Sequence, residues 1–284
     1  MIVNVCTTDE FINLPPGQIV PRLADKNEYI ASESTFYRVL KERNMLKHRG
    51  RSRPRRNIKQ PTTHIATKAN EVWSWDISYL PGPIKGIYYY LYLIIDIYSR
   101  KIVGYEVHDC ESADFAAELV EKTVIKERCL MKPLVLHSDN GSPMKAQTML
   151  EKLYQLGITP SRSRPRVSND NPFSEALFRT LKYCPIWPSS GFKTLQDARR
   201  WTGDFVNMYN NKHRHSAIKF VTPEQRHNGE DVQILKNRDE VYAKAKATNP
   251  RRWSKHTRDW TPVGNVALNP DQPDIKDIKL ERAA

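Results

Sequence analysis

The sequence predicts a mixed α/β fold, a mixed sheet covered by helices, preceded by a small helical module and followed by a polar tail. Three observations carry that expectation. First, the runs "EVWSWDISYL", "GIYYYLYLIIDIYSR" and "KIVGYEVHD" are strand-like, and "PGPIKG" and "YSRK" punctuate them, as in an antiparallel meander. Second, helix and strand alternate afterwards. A helix over about 112–128 repeats Phe115, Leu119 and Val120 at helical spacing, and the apolar strand "PLVLH" follows it. A helix near 145–156 and a strand near 158–161 come next. Third, from about Phe192 the pattern reads as helices to Asn211 and then as a polar, Trp-bearing tail.

Before the meander, residues 17–26 and 33–43 read as two short helices joined by "NEYIAS". Ser32 is placed to cap the second, in which Phe36, Val39 and Leu40 form an apolar stripe while Arg38, Lys41 and Arg43 point elsewhere. A helix-turn-helix and a plain helical hairpin with a solvated basic face both fit this spacing. The segment "KHRGRSRPRRNIKQP" then supplies Lys47, Arg49, Arg51, Arg53, Arg55, Arg56 and Lys59 with almost no apolar side chain. Such a stretch cannot build a core and is suited to following a phosphate backbone through counterion release. The expected boundaries are 1–46 for the helix-turn-helix-like module, 47–64 for the basic linker, 65–228 for the α/β core and 229–284 for a basic tail.

The chain of 284 residues carries 45 Lys and Arg against 32 Asp and Glu, a formal net charge of +13, which concentrates polyanions around it. Nucleic acid is therefore the expected partner, and the resemblance given below makes it double-stranded DNA. No apolar run is long enough to span a bilayer and no signal-peptide pattern opens the sequence, so the expectation is no membrane partner and a cytoplasmic, nucleoid-associated site of action. Cys6, Cys110, Cys129 and Cys184 are scattered without metal-ligand spacing and read as reduced thiols, most of them buried.

Three carboxylates stand where chemistry is expected. Asp76 falls within the first strand among Trp73, Trp75, Ile77 and Tyr79, where a charge is costly unless paired or metal-bound. Asp139 ends the strand "PLVLHSD", and the carboxyl ends of strands are where open α/β sheets receive ligands. Glu175 lies near the start of a helix that Asn171 is placed to cap and Pro172 to open. Lys182, seven residues on, is about 700° further round the helix and so shares its face, with Arg179 between. A simple Glu175–Arg179 salt bridge would also explain that pairing. Carboxylates without histidine or thiol suit Mg²⁺ or Mn²⁺, and two such ions about 3.5–4 Å apart suit in-line displacement at phosphorus.

The segments "WSWDISYL", "YLIIDIYSRKIVGYEV", "LVLHSDNGSP" and "SNDNPFSEALFRTLK" resemble the catalytic core of the DDE transposase and retroviral integrase superfamily. Among its members they are similar to the second-reading-frame transposases of bacterial insertion sequences. In that family thirty-five residues separate the last two carboxylates and a basic residue follows the glutamate by seven. Asp139, Glu175 and Lys182 stand at those intervals. The resemblance extends from the N-terminal helices to "YNNKHRHSAIKFVTPEQRHNG". It implies a ribonuclease H-like fold in which Asp76, Asp139 and Glu175 bind two Mg²⁺ ions, which Mn²⁺ can replace, to activate water or a DNA 3′-hydroxyl and stabilise the leaving oxygen. Lys182 would contact DNA near the scissile phosphate. The implied reaction is cleavage and strand transfer of the element's ends, with integration into target DNA, by a homo-oligomer on DNA. In the family, end recognition and multimerisation are commonly assigned to an upstream-frame protein with a helix-turn-helix and a leucine zipper, and this sequence has no leucine heptads. It is thus expected to act as the catalytic half of a frameshift fusion or to be a truncated copy.

Other residues have competing readings. His137, Ser138 and Asp139 suggest a hydrolase triad, yet neighbours on a strand point to opposite faces. Asp96 beside Ser99 and Arg100 reads as a structural strand end. Tyr88, Tyr89, Tyr90 and Tyr92 read as alternating strand core, "HRH" at 213–215 as a basic surface, and Trp253 and Trp260 as DNA-stacking or core-docking indoles. Two alternatives to the enzyme remain: a catalytically silent DNA-binding regulator, and a ribonuclease H-like nuclease.

Overall fold

The computed structural model describes residues 1–46, 61–164 and 170–270. Arg49, Arg51, Arg53, Arg55, Arg56 and most of the expected linker lie outside the described residues. The chain divides into two compact units, Met1–Lys59 and Gln60–Ala284.

The first unit contains α1 (Ile2–Cys6), α2 (Pro16–Asp25) and α3 (Glu33–Glu42). Cys6, Phe11, Ile19, Leu23, Phe36 and Leu40 make its core, the helical spacing of the last four delivering one apolar face from each of α2 and α3. Pro16 opens α2, where its missing N–H has no helical partner to lose. Ser32 has the extended backbone of an N-cap, but its hydroxyl meets Thr35 Oγ1 at 3.0 Å and caps no backbone N–H. Past α3 the chain turns at Asn44, with φ 54°, a left-handed position that asparagine tolerates. Arg38, Lys41 and Arg43 are exposed.

The second unit is built on β2 (Val72–Pro81), β3 (Tyr88–Asp96), β4 (Ile102–His108), β5 (Leu134–Ser138) and β6 (Ile158–Arg162), in the spatial order β4-β3-β2-β5-β6. The first three strands are antiparallel neighbours, and β5 and β6 run parallel to β2. This is a mixed sheet of the kind the sequence predicts. Helices α4 (Ala113–Lys126), α5 (Ser142–Lys145) and α6 (Gln147–Gln155) serve one face, and α7 (Pro172–Lys182) and α8 (Leu195–Asn211) the other. Strand alternation divides the core accordingly. Trp73, Trp75, Tyr92 and Ile94 pack with Val120, Val124 and Leu153. Val72, Leu80, Leu91 and Leu93 pack with Leu177, Leu181 and Phe205. Gly104 lets α4 approach β4, since an added Cβ would collide with Thr123 Oγ1.

The strand β4 ends the sheet, and its backbone is met by side chains. Asn210 accepts from Ile102 N at 2.9 Å and donates to Ile102 O at 2.9 Å. Arg199 Nε donates to Val107 O and Lys126 Nζ to Val103 O.

Beyond α8 the polar, Trp-bearing stretch carries regular structure of its own. The chain forms α9 (Pro223–His227) and α10 (Asp231–Thr248), and β7 (Val266–Leu268) returns to pair antiparallel with β1 (His64–Ala66). Mostly polar α10 is held by few apolar anchors, Leu235 and Tyr242 packing with Ile218, Val221 and Trp260. Trp260 is buried and has the guanidinium groups of Arg238 and Arg258 about its ring, 5.0 and 4.9 Å from its centre, so it docks on the protein. His213 and His215 are not a basic surface: they continue the Phe205–Tyr209 stack along α8, and burial lowers the pKa of both, that of His215 to about 4. Of the cysteines only Cys6 and Cys129 are buried.

Candidate active site

The parallel register of β2 and β5 pairs Trp75 with Ser138, so the next residues on the two strands are Asp76 and Asp139. Both line a cleft of about 230 Å³ with Trp75, Ile77, Tyr79, Glu111, Gly141, Ser142 and Pro143. Asp139 is exposed at the end of β5, and its Oδ1 accepts from Gly141 N at 2.9 Å, which turns the chain into α5. Asp76 is partly buried and accepts from Ile77 N at 2.8 Å.

Helix α7 brings the third carboxylate alongside. Pro172 opens it and the apolar residues Phe173, Leu177, Phe178 and Leu181 face the sheet, leaving Glu175, Arg179 and Lys182 exposed on the opposite side. Asn171 does not cap this helix with its side chain. It reaches to β2 instead, where its Oδ1 accepts from Ser74 Oγ and its Nδ2 donates to Trp75 O at 3.2 Å. Ser174 Oγ adds a contact of 2.6 Å to Ser74 Oγ. All three side chains are buried, and together they fix the strand of Asp76 to the helix of Glu175.

Electrostatics register the grouping. Burial, then the negative charge of Asp139 and, further off, of Glu175, raise the Asp76 pKa to about 7, while the Ile77 amide and Lys182 oppose the rise. Glu175 and Lys182 are thus within electrostatic reach of Asp76. Among the described residues Glu175 makes no ion pair with Arg179, whose guanidinium lies 6.0 Å from the centre of the Tyr183 ring. The simple salt-bridge reading of this helix face is corrected.

The two strand carboxylates are donors of the kind a hard divalent cation takes: oxygens from adjacent strands, one of them a partly buried charge that repulsion disfavours. Among the described residues no three His, Cys, Asp or Glu side chains are gathered closely enough to hold one ion. Asp76 and Asp139 share the cleft wall, and Glu175 stands off it on α7.

Several competing readings are resolved by contacts. His137 is buried, its Nδ1 2.9 Å from Ser161 Oγ and its Nε2 2.9 Å from Asp170 O, while Ser138 Oγ donates to Asp139 O. No hydrolytic relay joins them. Asp96 is fully buried and accepts from Asn70 N, Ser99 N and Ser99 Oγ, and its carboxylate faces His227, as a structural residue does. Of the tyrosines, Tyr92 is core, but Tyr88 is exposed.

Sequence reasoning missed Glu111 and Tyr79 as walls of the cleft, and Ser74, Asn171 and Ser174 as its brace. Glu111 precedes Ser112, the N-cap of α4, so an acid at a strand-to-helix turn beside Asp139 was the available signal. The brace has no sequence signal beyond a small polar residue, Ser74, within an aromatic strand.

Residues 66–168 and 156–223 match two family models, each described as an integrase core domain. The transposase of insertion sequence element IS904 from Lactococcus lactis subsp. lactis is 30% identical over 162 residues, which are 56% of this chain and 61% of the relative. The putative transposase InsK of IS150 from Escherichia coli K12 is 25% identical over 158 residues, 56% of this chain and 54% of the relative. The chain thus spans between about half and three-fifths of the length of these curated relatives. Among solved structures, a chain of the simian T-cell lymphotropic virus intasome in complex with PP2A regulatory subunit B56 gamma aligns with a TM-score of 0.48 at 14% identity, covering 80% of this chain and 74% of that one. The HTLV-2 integrase catalytic core domain in complex with magnesium aligns with a TM-score of 0.40 at 19% identity, covering 56% of this chain and 97% of that one. The two integrase-core matches together run over 66–223, so that this stretch of the chain is similar throughout to integrase core domains.

Proposed function

We propose that the protein is a metal-dependent DNA strand transferase, the transposase of an insertion sequence, which cleaves the element's ends and joins them to target DNA. The observation that carries the reading is the adjacency of Asp76, within β2, and Asp139, just past the end of β5, with Glu175 within electrostatic reach on α7. The relatives named as insertion-sequence transposases support it.

Asp76, Asp139 and Glu175 would hold two Mg²⁺ ions, with Mn²⁺ as a substitute. Such ions, when bound, supply Lewis-acid activation of the attacking oxygen and charge neutralisation at the leaving one. The chain's own residues do the rest. Ser74, Asn171 and Ser174 hold the two carboxylate-bearing elements in register, and Lys182 and Arg179 present positive charge on the Glu175 face for the phosphates flanking the reacting one. Arg38 and Arg43, exposed on and just past α3, and the arginines at 49, 51, 53, 55 and 56 extend the DNA contact through charge. The working species is a homo-oligomer on double-stranded DNA, aided by an upstream-frame helix-turn-helix and leucine-zipper protein.

The test is strand transfer by the purified chain on labelled DNA bearing the element's terminal repeats, with Mg²⁺ or EDTA, beside Glu175→Gln and Lys182→Ala. Joining is expected only with metal and only with Glu175 intact. Lys182→Ala is expected to weaken DNA binding and to lower the salt-dependence slope by roughly 1. Equal DNA binding by wild type and Glu175→Gln with no joining, even with the upstream-frame product added, would replace the enzyme by a DNA-binding regulator.

A further inference from the structure

Next to the carboxylates lies an aromatic group that the proposed chemistry does not use. Tyr79 lines the same cleft as Asp76 and Asp139. It stands three residues past Asp76 on β2, roughly 10 Å along the strand, or about three stacked nucleotide steps. Across the hairpin it pairs with Tyr90, ring centroids 5.1 Å apart at 75°, and Tyr88 leans on it at 5.8 Å and 40°. A strand buried on both faces would hide such rings, yet Tyr79 is 51% and Tyr88 42% exposed. Glu111 lines the cleft beside Tyr79, and its carboxylate raises the pKa of the Tyr79 hydroxyl.

The walls of this cleft carry Asp76, Asp139 and Glu111. Such a surface repels a phosphate backbone everywhere except where a cation intervenes. A neutral ring is the group that can hold a nucleotide there, because every base has a π-face to offer and stacking carries no charge penalty. Resting on the strand-transfer reading above, we infer that Tyr79, braced by Tyr88 and Tyr90, is a stacking shelf for an unpaired base of the reacting DNA strand, within about three nucleotides of the phosphate at Asp76 and Asp139. The shelf positions that phosphate by holding its neighbour out of the duplex. Tyr79 is accordingly a positioning residue, and DNA ends that open easily are the preferred substrate.

The test uses the full chain and terminal-repeat DNA carrying 2-aminopurine at each of the three positions flanking the joining phosphodiester, with fluorescence read on binding in EDTA and joining read separately in Mg²⁺. Wild type is expected to change the fluorescence several-fold at one position, and Tyr79→Phe to preserve that change. Tyr79→Ala is expected to abolish it and to slow joining by roughly tenfold. Mismatching the terminal pairs should restore much of the joining lost in Tyr79→Ala. Tyr88→Ala, at an exposed ring, should give a smaller loss of the same kind in a folded protein. Identical fluorescence for wild type and Tyr79→Ala overturns the shelf, as does a Tyr79→Phe defect equal to that of Tyr79→Ala, which would assign the role to the hydroxyl and Glu111. A Tyr79-dependent signal without any joining leaves the shelf standing and removes the strand-transfer reading. Joining indifferent to Tyr79→Ala does the reverse.

Discussion

Ser74 and Ser174 lie 2.6 Å apart through their hydroxyl oxygens, on different elements and buried together. Ser74 is two residues before Asp76, and Ser174 is the residue before Glu175, so this contact and that of Asn171 set the spacing of the candidate carboxylates. A polar brace of this kind is worth more in geometry than in energy, because each buried group left without its partner costs about 1–3 kcal/mol.

Replacing Asn171 by Ala should therefore lower unfolding free energy by about 1–3 kcal/mol in a denaturant titration, since it removes the buried Asn171 contacts to Ser74 Oγ and Trp75 O and leaves Ser74 Oγ only Ser174. Strand transfer should fall by more than that loss of folded protein explains, with a weakened response to Mg²⁺. Unchanged metal dependence in Asn171→Ala would separate the brace from the site.

For Asp76 the folded-state pKa, raised to about 7, lies above that of an ordinary aspartate. The folded protein then binds more protons than the unfolded chain between about pH 4 and pH 7, so this residue subtracts stability as pH rises through that window. Asp76→Asn should abolish joining yet raise metal-free stability at pH 8 by on the order of 2 kcal/mol, with no gain at pH 4. Mg²⁺ should raise the melting temperature of wild type and leave that of Asp76→Asn nearly unmoved. Melting curves at the two pH values with and without metal measure all of this.

At the other end of β3, His227 Nε2 lies 2.9 Å from Glu127, and its Nδ1 is 2.9 Å from Ser99 Oγ and 3.7 Å from Asp96. Burial lowers its pKa, but the nearby Asp96 carboxylate and the hydrogen bond to Glu127 outweigh burial and leave it raised. A histidine raised on folding contributes stability fully below the unfolded value near 6.5 and loses it as pH climbs through the folded value. His227→Gln should cost about 1–2 kcal/mol at pH 6 and flatten the decline of stability between pH 6.5 and 8.5, read from chemical denaturation across that range.

Gly104→Ala should destabilise the second unit by about 2 kcal/mol or more, because the new methyl group collides with Thr123 Oγ1 across the β4–α4 contact. Thr123→Ala added to it should recover much of the loss. A double mutant no better than the single would point to a backbone effect at Gly104 and not to the collision.

The sheet and its helices were legible because Trp73, Trp75, Tyr92 and Ile94 alternate against polar or opposite-facing neighbours, and Leu119, Val120 and Leu153 recur at helical period. Asp76 and Asp139 were legible as charges out of place in apolar strands, and their adjacency followed once β2 and β5 paired in parallel. The brace was not, since Asn171 before Pro172 has the sequence of a helix cap and its side chain was drawn instead to the strand. Helix α10 escaped notice because its apolar positions are few, and β7 because its partner β1 is some two hundred residues away. His213 and His215 misled for a related reason: charge is read from composition, whereas their stacking on Tyr209 is a tertiary fact.

The side chains of Asn210, Arg199 and Lys126 that meet β4 bear on solubility at high local concentration. A terminal strand with bare amides and carbonyls is a template on which another copy can add a strand, a hazard for molecules crowded onto one polyanion. Here the amide of Ile102 and the carbonyls of Ile102, Val103 and Val107 already have side-chain partners. Copies meeting at this rim find its ladder interrupted at these three positions, where Asn210, Arg199 and Lys126 oppose growth into cross-β aggregates.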